Sequence, residues 1–191
     1  MTIRKKTKSK TKRKSNTIAP PAKMADLARL HAFTGSGHAP KPPVKWDPSP
    51  NFASRQGETI QKLVLHNTAG PLAPSLARLK DPKQQVSAHY VVDRNGDIYQ
   101  LVQDSETAWH SGNKTVNQQS IGIETVAWST ATGMTAAQES ALVSVAKFVL
   151  EAYGISLSNV LPHRAIKPTD CPGFIWPSDT EFDSWKNSKL S

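Results

Sequence analysis

The stretch SAHYVVDRNGDIYQLV (residues 87–102) consists of two apolar, β-branched runs on either side of Asn95-Gly96. An Asn-Gly pair between two such runs is the strongest short-range signal for a β-hairpin. The segment therefore predicts two antiparallel strands joined by a tight turn.

Two other runs predict strands on either side of this hairpin. KLVLHN (62–67) is a short apolar run that ends in a histidine before the breaker TAGP, so we expect a buried strand that delivers His66 to a sheet edge. SIGIETV (120–126) alternates in character, and as a strand it would place Glu124 on the face opposite its two isoleucines.

The clearest helix is TAAQESALVSVAKFVLEAYG (135–154). Thr135 and Gln138 have the spacing of a capping box, and Gly154 supplies a C-terminal cap. SDTEFDSWKN (178–187) predicts a last helix. Strands interleaved with one long helix and shorter ones predict an α/β domain with a mixed central β-sheet flanked by helices.

The N-terminal segment differs in composition from the rest of the chain. The formal net charge is +9, and residues 4–14 contain eight Lys or Arg and no acid, so the remaining chain is close to neutral. We expect a disordered basic tail over residues 1–22, then a short helix (24–33) within a Pro/Gly-rich linker that spans 23–44. The folded domain is predicted over 45–191.

Composition excludes several classes of protein. No stretch approaches the ~20 apolar residues that span a bilayer, and the opening segment lacks the apolar core of a secretory signal. We therefore expect synthesis in the cytoplasm without a signal peptide. The near-neutral domain offers no basic stripe for specific nucleic-acid binding. The single cysteine, Cys171, is free, paired between chains, catalytic or bound to a metal.

The segment LPHRAIKPTDCPG (161–173) places His163 and Cys171 in one proline-rich turn. A catalytic zinc ion takes three protein ligands from His, Cys and carboxylates and keeps a fourth position for water. His66 is the best third ligand, since a strand end is rigid. The alternative for each histidine is a hydrogen-bonded residue of the core or surface.

The motifs LVLHNTAG, SAHYVVDRNGDIYQLV, AWHSG, SIGIE and HRAIKPTDCPG occur in this order. Together they resemble the zinc-dependent N-acetylmuramoyl-L-alanine amidases of the amidase-2 superfamily, which also contains the peptidoglycan recognition proteins. The resemblance covers roughly residues 45–180. It implies His66, His163 and Cys171 as ligands of Zn²⁺, and cleavage of the amide bond between N-acetylmuramic acid and L-alanine of the stem peptide.

The resemblance also implies two catalytic residues. Glu124 stands where the muropeptide-recycling branch of the family carries a catalytic glutamate, whereas Ala88 occupies the position of the tyrosine found in phage lysozyme-type members. Thr169 stands two residues before the cysteine, where many relatives have a lysine. Its hydroxyl can donate a hydrogen bond to the tetrahedral intermediate but supplies no charge.

Three further residues are predicted near the substrate. His89 and His110 are expected to line the cleft and either touch substrate or orient other groups, with a purely structural role as the alternative. Asn67 is expected to bind the peptide stem or to position the end of the His66 strand.

The basic tail favours a lytic enzyme of the phage endolysin type. We expect the tail to contact anionic envelope polymers or phospholipid, and the protein to act as a monomer on the cell wall after holin-mediated release. A non-catalytic peptidoglycan-binding module and a cytosolic muropeptide-recycling amidase are the alternatives.

Overall fold

The computed structural model describes residues 39–191, so the predicted tail, the predicted helix at 24–33 and most of the predicted linker lie outside the described residues. The strands are β1 (Lys45–Trp46), β2 (Phe52–Ser54), β3 (Lys62–Asn67), β4 (Tyr90–Val92), β5 (Ile98–Gln100), β6 (Glu106–Ala108), β7 (Ser120–Thr125) and β8 (Val160–Pro162). The helices are α1 (Leu72–Lys80), α2 (Lys114–Gln118), α3 (Ala136–Tyr153) and α4 (Asp179–Lys189), with short 3-10 helices at Leu157–Asn159 and His163–Ala165.

Six strands form one mixed sheet in the order β1-β5-β4-β7-β3-β8. Strands β4, β7, β3 and β8 run parallel, as do β1 and β5, whereas β4 and β5 pair antiparallel. Strands β2 and β6 form a separate antiparallel pair. The predicted α/β class with a mixed central sheet is confirmed.

The predicted hairpin is also confirmed, with β4 and β5 as its strands. The turn closes through a hydrogen bond from Asp93 N–H to the Asp97 carbonyl at 2.9 Å. Gly96 has a φ of +90°, a conformation that costs glycine little and most other residues a great deal. The Asn-Gly pair thus marked the position of the turn, but only Gly96 of the pair has a positive φ, so the loop is not the two-residue turn that needs a positive φ at both positions.

The sheet is covered on both faces, and β7 contributes to each. Ile121 and Ile123 lie in the larger apolar cluster, which includes residues of α3 and α4. Glu124 points to the opposite face, where its register partner Val91 packs with Leu79 of α1. The side chains of β7 therefore alternate between the two faces of the sheet as the sequence SIGIETV predicts.

Helix α3 confirms the predicted helix, with one correction. The Thr135 hydroxyl accepts a hydrogen bond from Gln138 N–H at 3.1 Å, and Gly154 ends the helix at a φ of +63°. The side chain of Gln138 does not return to complete a capping box. It is fully buried, and its Nε2 donates to the carbonyls of Val92 and Val126 at 3.1 and 3.0 Å. Gln138 thus ties the helix to the ends of β4 and β7.

Helix α4 matches the predicted last helix and begins with a complete capping box between Ser178 and Glu181. Its Phe182 and Trp185 are buried in the larger cluster, where both face Trp176. Within residues 39–191, no helix combines the length and apolar character that crossing a membrane requires.

Candidate metal centre

The candidate site lies at the C-terminal ends of the parallel strands β3 and β8. His66 is the penultimate residue of β3, and His163 directly follows β8. Because the two strands pair in parallel, both histidines leave the sheet at the same edge. Cys171 reaches this edge from the following loop, and one possible ligand atom from each of the three residues lies within 4.8 Å of the others.

Hydrogen bonds occupy one ring nitrogen of each histidine. Nε2 of His163 lies 3.1 Å from the carbonyl of Ser111, and since a carbonyl only accepts, Nε2 carries the proton. Nε2 of His66 lies 3.0 Å from Nδ1 of His110. These contacts leave Nδ1 of each histidine for a metal, and Nδ1 of His66 is 3.9 Å from Cys171 Sγ.

This donor set fits zinc. Bonds of about 2.0 Å to nitrogen and about 2.3 Å to sulfur place the two atoms about 3.6 Å apart in a tetrahedron. The observed separation of 3.9 Å between His66 Nδ1 and Cys171 Sγ is close to that value. Three protein ligands also leave one tetrahedral position open, as catalytic zinc sites do.

Asn67 holds the Cys171 loop against the end of β3. Its backbone N–H donates to Cys171 Sγ at 3.3 Å, and its Oδ1 accepts from Phe174 N–H at 3.4 Å. Burial, aided by the Glu124 carboxylate, raises the pKa of the Cys171 thiol to about 12, which a coordinated cation would reverse. Since Asn67 is itself buried, the structure supports the positioning role predicted for it rather than a substrate contact.

Glu124 stands beside His66, because the two are register partners on β7 and β3. Its Oε2 is buried and has no hydrogen-bond partner among residues 39–191. Burial raises the pKa of this carboxyl to about 7, while the positive charge of Arg78 on α1 acts in the opposite direction. A carboxyl group of this kind is suited to take up and return a proton near neutral pH.

His110 lies behind His66, and its Nε2 is 3.0 Å from the hydroxyl of Ser120. Burial lowers the pKa of both histidines, so both rings are neutral. The loop that carries His110 is fastened by Asn117 of α2, whose Oδ1 accepts from the backbone N–H groups of His110 and Ser111 at 3.3 and 2.9 Å. The sequence left three roles open for His110: a substrate contact, orientation of another group and a purely structural role. This geometry favours orientation of His66.

His89 lies in the core and is 0% exposed. Its Nδ1 accepts from Gly122 N–H at 3.0 Å, and its Nε2 lies 3.1 Å from the carbonyl of Glu106. Burial, followed by the charge of Arg55, lowers the pKa of His89 to about 3. The structure therefore places His89 as a structural residue, which corrects the predicted substrate contact.

Thr169 is exposed in the loop before Cys171. Its hydroxyl oxygen accepts a hydrogen bond from Cys171 N–H at 3.3 Å, so it helps to shape the loop. Donation of its hydroxyl proton to a reacting oxygen stays a prediction.

A groove made of two adjoining cavities, of about 420 and 300 Å³, leads up to the site. The two cavities share four lining residues: Gln85, Trp109, Gly112 and Asn117. The smaller one also reaches His110, His163 and Lys167, and the larger one reaches Lys114. Trp109 and Gly112 belong to the motif AWHSG and Lys167 to HRAIKPTDCPG, whereas no sequence signal pointed to Gln85, Asn117 or Lys114.

Lys167 lines the smaller cavity together with His163. Its aliphatic chain lies over Gly112, where a Cβ would come within 3.1 Å of the lysine Cδ. The pKa of His163 is lowered chiefly by burial and further by the charge of Lys167, while the bond to the Ser111 carbonyl opposes both. A positive charge thus stands next to one candidate metal ligand.

Comparisons with known proteins identify the family of this chain. Residues 56–174 match the amidase-2 family, described as N-acetylmuramoyl-L-alanine amidase. The N-acetylmuramoyl-L-alanine amidase AmiD of Escherichia coli (strain K12) is 38% identical over 141 residues, which cover 62% of this chain and 50% of AmiD. The chain thus spans about half the length of that relative.

The 1,6-anhydro-N-acetylmuramyl-L-alanine amidase AmpD of the same organism is 32% identical over 158 residues, with 68% of this chain and 86% of AmpD covered. The solved complex of AmiD with the substrate anhydro-N-acetylmuramic acid-L-Ala-D-gamma-Glu-L-Lys superposes with a TM-score of 0.58 at 30% identity, covering 74% of this chain and 61% of that one. A mutant endolysin from Bacillus subtilis gives a TM-score of 0.58 at 27% identity, covering 79% and 96%. The chain therefore belongs to the amidase-2 family of N-acetylmuramoyl-L-alanine amidases.

Proposed function

We propose that the chain is a zinc-dependent hydrolase that cleaves the amide bond between N-acetylmuramic acid and L-alanine of the peptidoglycan stem peptide. The observation that carries the proposal is the convergence of His66, His163 and Cys171 beside Glu124, whose Oε2 has no hydrogen-bond partner within residues 39–191. A binding module needs no such carboxyl, so the arrangement favours catalysis. The names of AmiD and AmpD describe the same bond.

The reaction needs help at both partners, since an amide is a poor electrophile and water a poor nucleophile. Zinc, when bound, polarises the scissile carbonyl and lowers the pKa of water from 15.7 to about 7. Glu124 takes a proton from the attacking water at its carboxylate and delivers it to the leaving nitrogen. The Thr169 hydroxyl donates a hydrogen bond to the negatively charged oxygen that develops as water attacks the carbonyl.

The groove supports a glycopeptide substrate. Amide side chains and Trp109 line it, and Lys114 and Lys167 contribute positive charge. The substrate bound to AmiD contains a γ-linked D-Glu, whose α-carboxylate is free. An ammonium group and a carboxylate make a charge-assisted hydrogen bond, so either lysine is suited to hold such a stem.

We further propose that the enzyme acts on intact cell wall, as an endolysin does, and reaches the wall after holin-mediated release. The eight basic residues between positions 4 and 14 support this, because they would draw the protein to anionic envelope polymers or phospholipid. A recycling amidase is the second candidate, favoured by the similarity to AmpD.

Digestion of purified sacculi tests these proposals. Wild type, Cys171→Ser, Glu124→Ala and the exposed control Glu58→Gln would be compared by mass spectrometry of released peptides, with zinc content measured in parallel. We expect stem peptides that begin with L-alanine from wild type and control, loss of zinc in Cys171→Ser, and zinc without activity in Glu124→Ala. Wild type that binds sacculi and zinc but releases no stems would make the chain a recognition module. Cleavage of anhydro-muropeptides alone would favour the recycling candidate.

A further inference from the structure

A line of buried polar groups runs from the candidate metal centre to helix α2. Nε2 of His66 lies 3.0 Å from Nδ1 of His110, Nε2 of His110 lies 3.0 Å from the Ser120 hydroxyl, and that hydroxyl lies 2.6 Å from the carbonyl of Val116. His66, His110 and Ser120 are 1%, 9% and 0% exposed, so little solvent competes for these bonds.

The carbonyl at the far end sets the direction of every bond in this line. The Val116 carbonyl can only accept, so the hydroxyl of Ser120 donates to it. The Ser120 oxygen then accepts from His110, which places the proton of that ring on Nε2. A neutral imidazole carries one such proton, so His110 Nδ1 is an acceptor, and His66 must donate to it from Nε2.

We propose that His110 is a positioning residue that holds His66 as the Nε2–H tautomer, with Ser120 and Gly122 keeping His110 in place for this task. His66 then presents the lone pair of Nδ1 toward Cys171 Sγ, 3.9 Å away. The reverse direction of the line would put a proton on Nδ1, and a protonated nitrogen cannot bind a metal.

The two candidate histidine ligands are fixed in different ways. His163 donates directly to the carbonyl of Ser111, which can accept a hydrogen bond but cannot donate one. His66 donates to another imidazole, which could act in either direction if it stood alone. The Ser120 hydroxyl and the Val116 carbonyl remove that ambiguity.

Gly122 has a role in this arrangement that does not depend on its backbone angles. A Cβ at this position would contact the His110 ring, with 2.6 Å to Cδ2 and 2.7 Å to Nδ1. Any larger residue would therefore displace the imidazole from the position in which it meets His66. This accounts for a glycine inside a central strand, where it weakens the strand and calls for a reason.

This inference rests on the proposed metal site but makes a separate claim about the metal-free protein. The tautomer of His66 is visible in long-range ¹H–¹⁵N NMR spectra of the full chain after zinc is removed with a chelator. We expect a protonated Nε2 and a bare Nδ1 in wild type. A proton on Nδ1 would overturn the proposal, whether or not the protein proves to be an amidase.

Zinc affinity, measured by competition with a chromophoric chelator, tests the same claim in variants. Removing a partner of a ligating histidine commonly weakens metal binding 10–100-fold, and we expect that loss in His110→Leu and Gly122→Ala. His110→Asn keeps an acceptor oxygen near the position of Nδ1, so its loss should be smaller, as should that of Ser120→Ala.

Thr125→Val serves as the control, because Thr125 lies on the same strand, is buried and has a hydroxyl without a partner in residues 39–191. It should bind zinc as wild type does. A folded His110→Leu or Gly122→Ala protein with the affinity of this control would overturn the proposal. If neither variant folds, the wild-type NMR spectrum still decides which nitrogen of His66 carries the proton. The zinc affinities of Ser120→Ala and His110→Asn, compared with that of Thr125→Val, then test the role of His110.

Discussion

The two faces of the central sheet are made from the same strands but differ in chemistry. On β7, Ile121 and Ile123 point into the apolar cluster beneath α3 and α4, whereas Gly122 and Glu124 point to the face of the candidate metal centre. The first face is closed and mainly apolar. The second contains a carboxyl oxygen that has no partner within residues 39–191, which costs stability and is kept for chemistry. Neighbouring residues of β7 therefore have different tasks: the two isoleucines stabilise the fold, and Glu124 serves the chemistry.

The largest effect is expected for Glu124→Gln, which tests the chemical face alone. Removal of the proton carrier should lower kcat/KM by about 10²–10⁴-fold. The free energy of unfolding should stay equal or rise, because a buried carboxyl is replaced by a neutral amide of similar size. Steady-state kinetics, urea unfolding and zinc content measure these quantities. A variant that loses stability or zinc together with activity would show that the two faces of the sheet do not act independently.

Ile123→Ala tests the other face one residue away. Truncation of this fully buried side chain should lower the free energy of unfolding by about 2–5 kcal/mol. Zinc bound per folded molecule should not change. Urea unfolding followed by circular dichroism measures the first quantity and equilibrium dialysis the second. Weaker zinc binding at full stability would mean that the two faces are coupled.

Acid should lower the free energy of unfolding through the buried histidines near the metal centre. The pKa of His89 is about 3 in the folded protein, chiefly through burial, against a usual value of 6.5. Between these values the unfolded chain binds a proton that the folded chain excludes, so stability falls as the pH falls, by about 1.4 kcal/mol per pH unit. The lowered pKa values of His66 and His110 act in the same direction, whereas the raised pKa of Glu124 opposes them.

Urea unfolding of zinc-free protein between pH 6.5 and 5 measures how the free energy of unfolding changes with pH. A His89→Gln variant should reduce that change by the contribution of one proton, about 1.4 kcal/mol per pH unit. An unchanged slope in that variant would show that His89 is not excluded from titration in the fold.

The smallest effect is expected at the edge of the groove. Lys167→Gln removes a charge beside His163 and should raise KM for a stem peptide about 3–10-fold, the cost of one solvent-exposed charge-assisted contact. Lys83→Gln, an exposed lysine that does not line the groove, is the control. A change in kcat with constant KM would instead assign Lys167 to the transition state.

Sequence patterns predicted those features of the fold that depend on neighbours in the chain. The hairpin at Asn95-Gly96, the alternation of SIGIET and the length of α3 all follow from local spacing. Strands β2 and β6 and helix α2 were not predicted, because they are short and β2 pairs with a segment about fifty residues away.

The candidate site likewise has parts that local sequence patterns predicted and parts that they did not. His163 and Cys171 lie in one short segment and His66 ends an apolar run, so local patterns made all three candidates, and the family resemblance implied them as the ligand set. The burial of His89 and the bond between His66 and His110 depend on how separate loops pack, and no periodicity encodes that. The Thr135 and Gln138 spacing misled because tertiary contacts with the sheet draw Gln138 away from the helix end.

The register of β7 against β3 also determines which genetic changes this domain can tolerate. His66 and Glu124 are opposite each other, and six consecutive pairs follow the same alignment. A shift by one residue exchanges the faces of a strand, so it would send Glu124 into the apolar cluster and an isoleucine toward the metal ligands. Substitutions can change either face independently, whereas deletion of a single codon within β7 should abolish folding and activity together.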